Sequence, residues 1–172
     1  MEIKTCTSYS PAKSVGEFIL MTCKGNDVLL DEEDYIRFKN FRIFELQRYP
    51  SIYIWENGKR KTYALHRLIL DAQKGEMVDH RNQDRLDNRR ENLRKCTATQ
   101  NSANMKLSTL NTTGFKGVTY KKDFGKYRAC IRINKISKHL GYFTTAKEAA
   151  LVYNKKALEI FGEFAWLNPI PN

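Results

Sequence analysis

The sequence predicts an α+β protein of short strands and few helices, closing with a small three-stranded antiparallel sheet packed on one helix. Three observations carry this prediction. Turn signals at Gly25-Asn26-Asp27 and Asn57-Gly58 separate short apolar runs, the pattern of hairpins. FKGVTY, KYRACIRI and KHLGYF follow one another between polar turns in the last third of the chain. Residues 144–162 then carry one apolar stripe at helical spacing, with start and stop signals at its ends.

Taken in order, EFILMTCKGNDVLL (17–30) reads as two strands around the Gly-Asn-Asp turn. Asp31 opens DEEDYIRFKNF, where acids crowd a helix start and Tyr35, Phe38 and Phe41 supply one face. Pro50 is expected to break the next segment. SIYIWENGKRKTYAL then forms a hairpin about Asn57-Gly58, and HRLILDA (66–72) forms a short helix. Val78-Asp79-His80 ends an apolar step. A polar loop follows, then the strand-like LRKCT and a helix in TATQNSANMK. STLNTTG is small and polar and reads as a linker. In the final helix Thr144 or Thr145 caps the start, with Glu148 completing a capping box, and Gly162 stops it. Ala149, Ala150, Tyr153, Ala157, Ile160 and Phe161 form its buried stripe.

Composition narrows the function. The 172 residues are 41% hydrophobic, with 9 Phe, 9 Tyr and 2 Trp, enough for a packed core. No apolar run approaches the roughly 18 residues of a membrane span, and MEIKTCTSYSPAKS lacks the apolar centre of a signal peptide, so an intracellular protein with no membrane partner is expected. Cys6, Cys23, Cys96 and Cys130 are scattered without a CxxC pair, which argues against a disulfide framework or a cysteine zinc site. The net charge of +11 is unevenly spread: −1 over residues 1–55, +5 over 56–111 and +7 over 112–172. That asymmetry points to a polyanionic partner, most often nucleic acid.

VDHRNQDRLDNRRENLRKCTATQNSAN concentrates chemistry. A strand, loop, strand and helix can bring Asp79, His80, Asn92 and Asn101 together. Phosphodiester hydrolysis needs a neutral imidazole to take a proton from water near pH 7. It also needs a cation to stabilise charge on the phosphate. A carboxylate and an amide carbonyl are hard oxygen donors suited to Mg²⁺ or Mn²⁺. The stretch LHRLILDAQKGEMVDHRNQDRLDNRRENLRKCTATQNSAN resembles the HNH nuclease motif, the ββα-metal fold, as found in phage-type homing endonucleases. DH, DNRRENLR and TQN stand in order at the motif's spacing. The resemblance implies His80 as general base and Asn92 as the residue orienting it. It also implies Asp79 and Asn101 as ligands of one Mg²⁺ or Mn²⁺; Asn101 stands where other branches have a third histidine. Arg89, Arg90, Arg94 and Lys95 are candidate phosphate contacts, and His66 either contacts a phosphate or packs against the site.

The C-terminal stretch has its own face. Strand alternation sets Tyr127, Ala129, Ile131 and Ile133 against the helix and turns Lys126, Arg128, Cys130 and Arg132 outward. Such a basic sheet suits the major groove. FKGVTY, GKYRACI, HLGYFTTAKEAALVYN and FGEFAWLN resemble the Apetala/ethylene-response-factor DNA-binding domain. Position by position, its contact face corresponds to Lys116, Thr119, Lys121, Arg132, Ser137, His139 and Tyr142, with Tyr153 near the DNA backbone. Thr119 and Ser137 stand where plant members have Arg, His139 where they have Trp, and Cys130 where they have Glu, so a plant target preference does not transfer.

The domain expectation is a lead-in over 1–55, the nuclease core over 56–107, a linker at 108–113 and the DNA-binding domain over 114–172. The expected function is a site-selective, homing-type DNA endonuclease, phage-encoded and acting in the host cell. It is expected to be monomeric on double-stranded DNA, without a small-molecule cofactor. The alternatives are a non-catalytic DNA-binding regulator with a decayed nuclease domain and a nucleoid-type protein without sequence preference.

Overall fold

The computed structural model describes residues 13–15, 18–23 and 25–170. Residues 1–12, most of the N-terminal segment read for a signal peptide, with Cys6, lie outside them. The chain divides into two compact units, Met1–Cys96 and Thr97–Asn172, a mixed α/β arrangement of small antiparallel sheets and few helices. The break falls upstream of the 108–113 stretch read as a linker.

In the first unit β1 (Lys13–Val15), β2 (Phe18–Cys23) and β3 (Asn26–Leu30) form one antiparallel sheet in that order. Gly25 turns β2 into β3 at φ +79°, a conformation glycine adopts without strain. Helix α1 (Glu32–Phe38) starts after Asp31. Its apolar face is the expected one: Phe38 is buried, with Tyr35 and Phe41 packed against the same core. Strands β4 (Phe44–Leu46), β5 (Tyr49–Glu56) and β6 (Lys59–Ala64) make a second sheet.

Pro50 does not break this segment; it lies inside β5 opposite Glu45. Pairing with β6 begins only at Ser51, so the proline sits where the sheet is two strands wide and a missing N–H is tolerated. The turn before it is Gln47-Arg48, with φ of 51° and 69°. Helix α2 (Leu65–Ile69) is shorter than HRLILDA suggests. Arg67 turns the chain out of it by donating to the carbonyls of Ala72, Gln73 and Glu76. Strands β7 (Met77–His80) and β8 (Leu93–Cys96) then form a two-stranded ribbon. Val28, Leu30, Phe38, Ile52, Leu65, Ile69, Val78 and Leu93 make a single core beneath these elements.

The lead-in also holds the loop joining β7 to β8. Leu29 N donates to Leu86 O at 2.9 Å and Asn88 N donates to Leu29 O at 2.9 Å, so the loop runs beside β3 as a one-residue parallel bridge. Asp31 accepts from the backbone N of Arg90 at 2.7 Å, and Asp34 takes the Arg90 guanidinium at 2.7 and 2.9 Å.

The second unit opens with α3 (Ala98–Asn104), whose Thr97 and Gln100 close a capping box. Strands β9 (Val118–Lys121), β10 (Lys126–Ile133) and β11 (Ile136–Phe143) form an antiparallel sheet with β10 in the centre. Helix α4 (Ala146–Phe161) covers one face, with Thr145 and Glu148 closing the expected capping box and Gly162 at its end. Two core clusters join sheet and helix: Ala103, Ile131, Tyr153, Ala157 and Phe161 in one, and Val118, Ala129, Ala149 and Ala150 in the other. Gly117 is obligatory here, since a Cβ would stand 2.2 Å from the Tyr153 ring. The 108–113 stretch is folded back on itself: Asn111 Oδ1 accepts from the N–H groups of Thr113 and Gly114, and Thr113 Oγ1 donates to Val118 O. Helix α3 belongs to this unit through Ala103, whose carbonyl accepts from Lys116 Nζ at 2.6 Å and from Trp166 N at 3.2 Å.

Three outcomes follow. Arg90→Ala leaves the carboxylate of Asp34, 1% exposed, without its guanidinium. Denaturant titration should show a loss of about 1–3 kcal/mol, the buried-pair penalty reduced because Arg90 is half in water. Arg37→Ala, at the exposed pair with Asp71, should change stability by under about 0.5 kcal/mol. A fragment 97–172 should unfold cooperatively. A fragment 108–172, lacking α3, should be weaker by about 2–3 kcal/mol, because Lys116 and Trp166 lose their carbonyl partners; calorimetry on the two fragments decides it.

Candidate active site

His80 closes β7 and is 5% exposed, and its cross-strand neighbour is Leu93. Burial pushes its pKa below the usual histidine value, while Asn88 and the carboxylates of Asp79, Asp87 and Asp84 oppose the fall. The imidazole is therefore neutral at pH 7, as a proton acceptor must be. Asn88 is fully buried, and its Nδ2 donates to the carbonyls of Arg85 and Leu86 at 3.0 and 3.1 Å. Its Oδ1 meets no donor in ordinary hydrogen-bond geometry, yet it is the group that most favours a proton on His80. The imidazole N–H is its natural donor.

His66, on α2, lies edge-on to His80 with centroids 5.1 Å apart. It is 6% exposed and its Nδ1 makes no hydrogen bond. Burial, then repulsion from His80, Arg67 and Arg85, lowers its pKa to about 3. Tyr49, at the start of β5, completes the wall, 4.7 Å from the His66 ring and 6.1 Å from that of His80. The Arg85 guanidinium covers the Tyr49 ring at 4.6 Å. Of the two roles left open for His66, packing against the site is the one seen.

Asp79 precedes His80 on β7, and alternation sends its side chain the other way, to its cross-strand partner Arg94. Arg94 Nε and Nη2 donate to Asp79 Oδ2 at 2.9 and 2.8 Å, and both side chains are 7% exposed. Asn92 is also buried, but its amide is spent on the loop. Oδ1 accepts from Asn82 N at 3.0 Å and Nδ2 donates to Asp87 O at 2.8 Å. Asn92 thus fixes the path of the loop, and Asn88 is the amide that faces the imidazole chemistry. Asn101 lies half-buried on α3, in the second unit. Among the described residues no cluster of three His, Cys, Asp or Glu side chains is arranged for a metal.

The arginines expected on phosphates have other partners. Arg89 forks onto Asp87 with two 2.7 Å bonds and also pairs with Glu91. Arg90 holds Asp34, Arg94 holds Asp79, and Lys95 pairs with Glu76 at 2.9 Å.

The sheet of the second unit arranges its residues differently. Register sets Lys126 beside Lys121, Arg128 between Thr119 and Tyr142, Cys130 beside His139 and Arg132 beside Ser137. These nine share the face away from α4, and the His139 and Tyr142 rings are 4.8 Å apart. Lys116 is not among them. Its ammonium caps the end of α3 on the carbonyls of Ala103 and Met105 at 2.6 and 2.8 Å, the polarity a helix C-terminus favours, and burial lowers its pKa to about 8. Tyr153 sits in the core, 5% exposed, with its pKa raised by burial to about 12.

His66 gives a pH signature. Its folded pKa near 3 lies below the unfolded value near 6.5, so the unfolded chain takes the proton first. Stability is complete above about pH 6.5 and falls as the pH drops toward 3. Urea midpoints between pH 7.5 and 4.5 should slope less steeply for His66→Gln than for the wild type.

Comparison with known proteins shows what the chain is similar to. The HNH endonuclease family matches residues 63–103, from the end of β6 through α3. An uncharacterized HNH endonuclease of Acanthamoeba polyphaga mimivirus is 31% identical over 146 residues, covering 76% of this chain and 75% of its own. No solved structure matches the chain significantly. With the motif lying across the buried His80 and its loop, and the likeness running well beyond the motif, the chain belongs to the HNH endonuclease family.

Proposed function

We propose that the chain is a divalent-metal-dependent, site-selective DNA endonuclease of the homing type. In it His80 acts as general base, and the outer face of β9–β10–β11 grips double-stranded DNA. The observation that carries this reading is the environment of His80: an imidazole kept neutral by burial, next to the Asn88 carbonyl and edge-on to a second neutral histidine.

His80 takes the proton of the attacking water. Asn88 holds the imidazole N–H and so selects the tautomer whose other nitrogen accepts. Asn92 is a positioning residue acting through the loop. His66 and Tyr49 keep bulk water from the ring.

The metal proposed is Mg²⁺ or Mn²⁺, with Asp79 and Asn101 as its protein ligands. The donors suit it: a carboxylate and an amide carbonyl are hard oxygens, and Mg²⁺ commonly takes only one or two carboxylates beside water and phosphate oxygens. A cluster of three protein ligands is therefore not required. Arg94 shares Asp79 Oδ2 and must yield or share it. When bound, the ion would stabilise negative charge on the phosphate and on the leaving oxygen.

On the second unit, Lys121, Lys126, Arg128 and Arg132 supply phosphate and base contacts, with Thr119, His139 and Tyr142 between them. The regulator reading draws on one observation, the engagement of Asp79 by Arg94. Supercoiled plasmid with Mg²⁺, with and without EDTA, separates the two: nicked or linear product only in the metal arm supports the nuclease, and a mobility shift without cleavage supports the regulator. His80→Ala should retain DNA binding and lose about 10²–10⁴-fold in cleavage rate; cleavage at the wild-type rate would remove His80 from the role of base.

A further inference from the structure

The sheet β4–β5–β6 carries a feature that the nuclease reading leaves unused. Tyr49, Ser51, Tyr53 and Trp55 alternate along β5 and so share one face. Tyr49 begins this stripe beside His66 and His80. Trp55 ends it, 48% exposed, with Tyr53 37% exposed between them. Ile52 and Ile54, on the other face, pack in the core; Ser51 is itself buried, and it is the Tyr53–Trp55 end of the aromatic face that opens to solvent. Neighbouring strands add to it: Phe44 stacks on Tyr53 with centroids 4.1 Å apart, and Leu46 is exposed.

Arginines accompany the rings. Arg60, opposite Trp55 in register, lays its guanidinium over Tyr53 at 4.3 Å, as Arg85 does over Tyr49 at 4.6 Å. Neither has a carboxylate partner among the described residues. This distinguishes them from Arg89, Arg90 and Arg94.

We propose that this face binds an unpaired, extended DNA strand leading away from the scissile phosphate, Trp55 stacking on a base and Arg60 holding a phosphate. Three features select that occupant. The open Trp55 indole beside an unneutralised arginine is what single strands use, since every base presents a π-face and every linkage a charge. A duplex keeps its bases stacked inside and offers this ring nothing to stack on. The spacing also fits: alternate residues of a strand lie about 6.8 Å apart, roughly twice the 3.4 Å rise per nucleotide of duplex DNA, so the stripe matches a strand pulled out of its stack. The proposal rests on the nuclease reading only in taking DNA as the ligand.

Fluorescence on the full chain in EDTA tests it without cleavage. In Trp166→Phe, Trp55 is the one remaining tryptophan. A dT oligonucleotide should quench it, and a duplex of equal length should do so far less. Trp55→Thr, which keeps β propensity, should weaken oligonucleotide binding by about fivefold to a hundredfold. Arg60→Gln should flatten the salt dependence by about 0.7 in log–log slope. No quenching, equal quenching by duplex, or wild-type affinity in Trp55→Thr overturns the proposal. So does a wild-type dimer that Trp55→Thr converts to monomer, which would make the face a contact between copies. A plasmid assay that fails while Trp55 still responds would sink the nuclease reading and leave this one standing.

Discussion

The course of the loop between β7 and β8 governs the site, and carboxylates fix that course. His80 enters the loop, Asn88 lies within it and Asn92 leaves it, yet the loop has almost no apolar content with which to fold. Asp87 receives Arg89 and Asn82, Asp34 receives Arg90, and Asp31 receives the Arg90 backbone. Ion pairs of this kind add little net stability over an apolar packing of the same shape, but leaving one half-made is costly. They therefore act as a specification: the loop takes the path on which Asp31, Asp34 and Asp87 all meet their donors. Two of those carboxylates come from α1 and its cap, which explains why a nuclease motif beginning near residue 63 needs the strands and helix before it.

That specification redistributes the basic charge. Arg89, Arg90 and Arg94 look like phosphate contacts in the sequence, and each is consumed by a buried or half-buried acid. Lys121, Lys126, Arg128 and Arg132 face outward on β9 and β10 with no acid opposite them in register. The net +7 of residues 112–172 is thus largely displayed, while part of the +5 before it is neutralised internally. Counting charge along a sequence finds the partner class; only pairing shows which charges remain to meet it.

Much of the fold was legible because its signals are local. The capping box at Thr145 and Glu148, the stop at Gly162, the Asn57-Gly58 turn and the alternation of 126–133 each depend on a few neighbouring residues. Legibility ended where distant chain decided. Gln47-Arg48 and Asn134-Lys135 both turn at positive φ without a glycine, held by the strands they join, so the β4–β5 hairpin and the tolerated Pro50 were hidden. In the candidate site, the motif singles out His80 and Asn92, but not the bonds that the amides of Asn92 and Asn88 make, because both are asparagines in one polar loop and the docking on Leu29 decides which carbonyls each amide meets. Lys116 was misleading for a similar reason: its partners are the carbonyls at the end of α3, which its own neighbours do not reveal.

The resulting division has a catalytic logic. Around His80 the acids are paired and the imidazoles uncharged: Asp79 faces Arg94, Asp87 faces Arg89, and both histidines are neutral near pH 7, while the Arg85 guanidinium over Tyr49 has no carboxylate partner among the described residues. Such a site attracts a resting phosphodiester only weakly. On the proposed function, binding energy gathered on the displayed basic sheet would hold the substrate without deepening the ground state at the reacting atoms. Charge that develops later, as the phosphate gains negative charge and the imidazole its proton, would then meet groups already in place.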